Sequence, residues 1–139
     1  MTVTSDELRR WLTRDGDEPV GGWEPTPAAD ALRCDPELVA RLSEVSKSVG
    51  DVHRHFVDGC PVIHHPGGRA IAAAAGPAWL AVRSARPAGA LATDEVTLPG
   101  LGPEWTMLDP WADDVALSRT VDLLRSHIAR AYELAERAV

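Results

Sequence analysis

The stretch CPVIHHPGGRAIAAAAGPAWLAVRSA, residues 60–85, decides the fold class. It opens with a short β-rich run, and two further apolar runs lie on either side of a tight Gly76-Pro77 connection. Turn residues separate these runs, which is typical of consecutive short strands. Because strands joined by short connections pair antiparallel, the stretch predicts an antiparallel sheet.

Helical patterns flank this stretch on both sides. Residues 4–14 predict a short helix, since they place leucines and a tryptophan on one face. Asp35 can cap a second helix and Pro36 suits its first position, and this helix is expected to end at Gly50. Residues 113–139 repeat apolar side chains every three or four positions, which predicts a long C-terminal helix.

The chain of 139 residues is expected to form a single domain, with a helix and a Pro/Gly-rich loop at 1–34 and an α+β body at 35–139. Residues 51–57 are interpreted as one or two further helical turns. Residues 95–111 are interpreted as a strand pair, or as a loop followed by a strand at 104–108. We therefore expect an α+β two-layer sandwich, in which helices cover one face of an antiparallel sheet of three to five strands.

Composition limits the function classes. The formal net charge is −7, and this argues against nucleic acid as a partner because phosphate backbones repel an acidic surface. The sequence shows no signal-peptide pattern, and its longest apolar run is too short to span a bilayer. Two cysteines do not make a disulfide framework. We expect a cytoplasmic protein without a membrane partner, and the Arg-, Ala- and Gly-rich composition is typical of a bacterial source.

Residues 51–69 hold four of the five histidines and one of the two cysteines. On a helix, the histidines at 53 and 55 would point apart, whereas on a strand they would share a face. Zinc or another divalent transition metal is one possible occupant, since N and S donors suit such ions. The alternative is that these residues are polar groups at a helix end and in a Pro-Gly turn, with no cofactor. The candidate metal ligands are His53, His55, Cys60, His64 and His65.

Cys60 followed by His64 and His65 also permits a nucleophile and its base. That chemistry needs a third orienting group and an oxyanion site, and neither can be read from the sequence. The competing interpretation is a buried structural cysteine, because free cysteine is among the most buried residue types. No catalytic residue is assigned.

Residues 102–114 crowd two tryptophans with prolines and acids. One interpretation is a ligand or partner groove, with Trp105 and Trp111 as aromatic walls and Asp109 at its edge. The alternative is a corner between a strand and a helix, in which Trp105 enters the core and Trp111 packs over the final helix.

The order of elements resembles the TfoX N-terminal and MmcQ/YjbR-like α+β domains, over about residues 36–138. The segments that carry the resemblance are AWLAVRSA (78–85), EWTMLDPW (104–111) and LLRSHIARAYELA (123–135). The Phe-Gly-Gly segment of the TfoX pattern has only FVDGCPV (56–62) as a counterpart. The resemblance implies no catalytic residues. It implies a nucleic-acid or competence label for some members, which the acidic charge opposes.

We therefore predict a module that binds a protein or a small molecule, with a homodimer favoured by the long apolar stripe of the last helix. One alternative is a small metal-dependent or Cys/His enzyme at residues 51–69. The other is a nucleic-acid-binding regulator. The regulator would need six arginines on one face: Arg9, Arg10, Arg14, Arg69, Arg83 and Arg86.

Overall fold

The computed structural model describes residues 6–14, 21–77, 79–83, 105–108 and 117–138. These residues form three helices and five strands. The helices are α1 (Asp6–Leu12), α2 (Pro36–Lys47) and α3 (Leu117–Ala138). The strands are β1 (His53–Val57), β2 (Cys60–His64), β3 (Ala70–Ala75), β4 (Trp79–Val82) and β5 (Thr106–Leu108). They form one sheet in the order β1-β2-β3-β4-β5, with every neighbouring pair antiparallel. The predicted α+β class, antiparallel sheet and C-terminal helix are confirmed.

Helix α2 begins where the sequence predicts. The Asp35 carboxylate accepts hydrogen bonds from the backbone N–H groups of Glu37 at 2.9 Å and Leu38 at 3.4 Å, and Pro36 occupies the first helical position. These bonds satisfy amide donors that have no partner inside the helix.

The prediction of helical turns over residues 51–57 is wrong, because β1 occupies residues 53–57. Asp58 and Gly59 both have positive φ angles, of 51° and 78°, which closes the two-residue turn that best matches the twist of a β-hairpin. The hairpin pairs His53 with His64 and Val57 with Cys60. Gly59 has a second role, since a Cβ there would lie 2.3 Å from the carbonyl oxygen of Ala31.

Helices cover both faces of the sheet, whereas the sequence predicted that they cover one. The α2–α3 face buries Leu38, Leu42, Ile63, Ile71, Leu80, Leu108, Leu124 and Ile128. The α1 face buries Leu8, Leu12, Val57, Val62, Ala73, Trp79, Ala81 and Trp105. A register shift between Ile63 and His64 explains why the consecutive residues Ile71 and Ala72 both belong to the α2–α3 face.

A short segment covers the outer edge of the sheet at β1. The backbone N–H of Arg54 donates to the Gly22 carbonyl at 3.1 Å, and the N–H of Glu24 donates to the Arg54 carbonyl at 2.8 Å. Trp23 thereby forms a parallel bridge to Arg54. This pairing satisfies edge groups that could otherwise pair with another chain.

Candidate functional site

Three of the candidate histidines lie together on the α1 face. Side chains alternate along a strand, so His53 and His55 point to the same side, and the hairpin register sets His64 directly opposite His53. The ring centroid of His64 lies 5.8 Å from that of His53 and 4.9 Å from that of His55. The turn at residues 58–59 therefore creates an imidazole cluster of His53, His55 and His64.

The other two candidate metal ligands lie elsewhere. Cys60 is four residues from His64 on β2, or roughly 13 Å along an extended strand. His65 lies beyond the strand end, where its Nε2 is 3.1 Å from Glu136 Oε1 and its Nδ1 accepts a bond from the Gly67 N–H at 3.0 Å. The five side chains do not converge. Within the described ranges, no three His, Cys, Asp or Glu side chains are placed to hold a metal ion, and we assign no metal site to this cluster.

The geometry also separates Cys60 from a histidine base. Its Sγ lies 3.8 Å from the Arg33 carbonyl oxygen and 3.9 Å from that of Asp58. Burial, followed by the charge of Asp58, raises the pKa of the Cys60 thiol to about 11. The thiol is therefore protonated at neutral pH, in the form that is a weak nucleophile. This placement matches the interpretation of Cys60 as a buried structural cysteine.

His55 and His64, at the centre of the imidazole cluster, form few hydrogen bonds among the described residues. Nδ1 of His64 donates to the His65 carbonyl at 3.3 Å, whereas Nε2 of His64 and both ring nitrogens of His55 are buried without a partner among the described residues. Burial, followed by the neighbouring His55, lowers the pKa of His64 to about 4. Burial also lowers the pKa of His55, against an opposing effect of Glu24. Both rings are uncharged at pH 7, because burial disfavours the charged form.

Helix α1 packs against the imidazole cluster on this face of the sheet. The Trp11 ring lies 4.3 Å from the His55 ring between centroids, and the Arg14 guanidinium lies 3.8 Å from the centroid of Trp11. Arg14, Trp11, His55 and His64 thus form a continuous stack from α1 into the sheet.

Beside this stack, a pocket of about 360 Å³ opens at the β1 edge. A Cβ added at Gly21 or Gly22 would meet nothing within 4 Å, so these glycines leave space at the pocket wall. Aromatic and imidazole rings supply most of the remaining wall. The lining residues are Trp11, Gly21, Gly22, Trp23, Glu24, His55 and Phe56.

Among the described residues, three cations lie against the two tryptophan rings of the pocket. Lys47 Nζ lies 4.8 Å and the Arg54 guanidinium 4.7 Å from the Trp23 ring centroid, and Arg14 lies over Trp11. Among the described lining residues, the carboxylate belongs to Glu24, which accepts a hydrogen bond from the Phe56 N–H at 2.7 Å.

Arg54 itself is buried and is bonded to neutral acceptors. Its guanidinium donates to the Ser43 hydroxyl, to the Glu24 carbonyl at 2.6 Å and to the Thr26 hydroxyl at 3.3 Å. Burial lowers the pKa of Arg54, with Glu24 opposing. No carboxylate within the described residues forms an ion pair with it, and the charge of Glu24 acts on it from a longer distance.

The predicted tryptophan groove is only partly placed. Trp105 is buried on the α1 face, as the corner interpretation expects. Asp109 and Trp111 lie outside the described residues. The sequence did not single out Glu24, Lys47 or Arg54 as site residues.

The arginines proposed for nucleic acid do not share one open surface. Arg83 is buried, and Arg9 and Arg10 pair with acidic residues within α1 at 3.8 Å and 3.5 Å. Arg86 lies outside the described residues.

No protein-family model, curated protein or solved structure matches this chain. The resemblance to TfoX N-terminal and MmcQ/YjbR-like domains therefore stays a prediction. Among the described helices, none combines the length and the apolar character that a membrane crossing requires.

Proposed function

We propose that this protein is a binding module that takes a small organic anion with an apolar body in the pocket at the β1 edge. The observation that carries the proposal is the combination of an aromatic-walled pocket with flanking cations on a chain whose net charge is −7. Among the described residues, Arg14 and Lys47 lie against the two tryptophans of the pocket, and their positive charge supports binding of an anion there.

The pocket dimensions favour a small ligand. Its volume of about 360 Å³ is near the lower end of the range for small-molecule sites, roughly 300–1,000 Å³. The faces of Trp11 and Trp23 already carry cations of the chain itself, so the apolar body would contact ring edges and Phe56. Arg14 and Lys47 then offer charge to the acidic group of the ligand.

Glu24 and His55 set the polarity within the pocket. The Glu24 carboxylate accepts a hydrogen bond from the Phe56 N–H, which fixes its position in the pocket lining. His55 is neutral and has ring nitrogens without partners among the described residues.

Three probes of one shape test the charge preference: 3-phenylpropionate, 3-phenylpropanol and 3-phenylpropylamine. We expect ¹H–¹⁵N NMR titrations to show the anion binding most tightly, with shifts at residues 21–24 and 53–56. Equal or tighter binding of the amine, or shifts confined to other parts of the chain, would contradict the proposal.

Charge-removing variants locate the site. Arg14→Gln and Lys47→Gln should each weaken binding of the anion by up to about fivefold, because an exposed charge pair contributes roughly 0.2–1 kcal/mol. The matched control is Arg130→Gln, which removes the same charge from an exposed position on α3. An equal effect of the control would show that only the net charge matters.

A further inference from the structure

We propose that protonation of His55 and His64 in mild acid releases α1 from the sheet and opens the pocket, while the α2–α3 face stays folded. The inference concerns the docking of α1 and does not need a ligand. If the proposed function also holds, release of α1 removes Trp11 from the pocket wall and lowers the affinity for the anion.

The geometry of the cluster makes protonation of either His55 or His64 unfavourable. His64 is 1% exposed, and its Nε2 has no partner among the described residues. His55 lies 4.9 Å away between ring centroids and also lacks partners there. A charge on either ring would have no hydrogen-bonded counterion among the described residues, and charges on both would repel each other at close range.

The charged groups around the two rings do not remove this penalty. Arg14, after α1, opposes protonation of His55, whereas Glu24, in the edge segment, favours it. His53 on β1 stands 3.9 Å from Asp51, and both His53 and His65 oppose protonation of His64. The Glu136 carboxylate on α3 is bonded to His65, and no carboxylate forms a hydrogen bond to His55 or to Nε2 of His64 within the described chain.

Helix α1 is the element that can undock from the sheet. It has seven residues, and a helix of that length is not stable without its tertiary contacts. Leu8, Leu12 and Trp11 pack on this face of the sheet, and Trp11 lies directly on His55. Just after the helix, the Arg14 carbonyl accepts a hydrogen bond from the Arg83 guanidinium at 2.7 Å. Undocking α1 would hydrate the imidazoles while leaving the 12-residue α2 and 22-residue α3 packed on the opposite face.

The first test follows ¹H–¹⁵N spectra of the full chain from pH 7.5 to 4.0. We expect amides of residues 6–12 to move to random-coil shifts, with a midpoint that coincides with titration of the His55 or His64 ring, while amides of α2 keep their shifts. Simultaneous loss of α1 and α2, or α1 amides that remain native at pH 4.0, would overturn the inference.

Variants test whether protonation of His55 and His64 causes the release of α1. The double variant His55→Leu/His64→Leu should retain α1 down to pH 4.0. Arg14→Gln should move the wild-type midpoint to lower pH, because it removes a charge that opposes protonation of His55 while α1 is docked. If the double variant does not fold, the single variant His64→Leu should lower the midpoint. His127→Leu is the control, since His127 is a buried histidine on α3 whose pKa is also lowered. An unchanged midpoint of α1 release in the histidine variants, or a shift in the control alone, would contradict the proposal.

Discussion

The two faces of the sheet are built from the same strands but closed by different means. On the α2–α3 face, two longer helices pack branched apolar side chains such as Ile63 and Ile71 against Leu42 and Ile128. On the α1 face, one short helix packs over alanines, two tryptophans and the imidazole cluster. Strand β3 contributes to both, with Ala74 on the first face and Ala73 on the second.

Because of this difference, we expect the α2–α3 face to determine global stability and the α1 face to open locally in acid. Truncation of a large apolar side chain on a tightly packed face lowers the free energy of unfolding, because the interior is packed to high density. A face closed by a short helix over buried, unpaired imidazoles can open without loss of the whole fold. We expect global stability to reside in the α2–α3 face, and the pocket and its control in the α1 face.

The largest effect should come from Leu42→Ala on the α2–α3 face. Leu42 is fully buried, and its truncation should lower the free energy of unfolding by roughly 2–5 kcal/mol through lost burial and a cavity. Chemical denaturation followed by circular dichroism measures it. A loss below about 1 kcal/mol would place the stabilising core elsewhere.

The next effect is the pH dependence that His64 contributes. Its pKa is lowered to about 4 by burial, from an ordinary value of 6.5, so the unfolded chain takes up this proton first. Stability is therefore full above about pH 6.5 and falls as the pH drops to about 4. Release of α1 hydrates the ring, so the fall is limited to the free energy with which α1 docks on the sheet.

The variant His64→Leu should lose most of this fall. Leucine cannot be protonated, and the His65 carbonyl that His64 bonds still accepts the Gly68 N–H at 2.8 Å. Denaturation curves at pH 7 and pH 4.5 for both proteins give the difference. Equal falls in stability in wild type and variant would assign the acid sensitivity to other groups, such as Glu136, whose pKa is lowered chiefly by its bond to His65.

The smallest global effect should come from Leu8→Ala, the α1 counterpart of Leu42→Ala. Leu8 is also fully buried, yet its truncation should open α1 locally and lower the global free energy of unfolding by about 1 kcal/mol or less. Hydrogen exchange should quicken at residues 6–12 and stay unchanged in α2. If Leu8→Ala lowered the global free energy of unfolding as much as Leu42→Ala does, the two faces would not differ in stability.

The sequence predicted those elements whose signals are local. The cap at Asp35 with Pro36 placed α2, and the regular apolar spacing after residue 113 indicated α3. Strand β1 was missed because Val52 and Phe56 also fit a helical period. The Asp58-Gly59 pair, a strong signal for a two-residue hairpin turn, would have corrected this.

The pocket could not be predicted in the same way. Its walls come from three separate segments, residues 11, 21–24 and 55–56, and the cation on Trp23 comes from α2. Nothing in the spacing of these residues joins them. The histidine pattern was noticed, but only the strand pairing decided which rings meet.

By itself, the sequence determined the α+β class, the order of most elements and the excess of negative charge, because turn chemistry, hydrophobic period and composition act over short distances. The tertiary structure alone decided that α1 lies opposite α2 and α3, that the His55 ring meets the buried His64 ring, and that Arg14 and Lys47 lie against the pocket's tryptophans. These features depend on register and on contacts between segments far apart in the chain, and such contacts leave no local pattern.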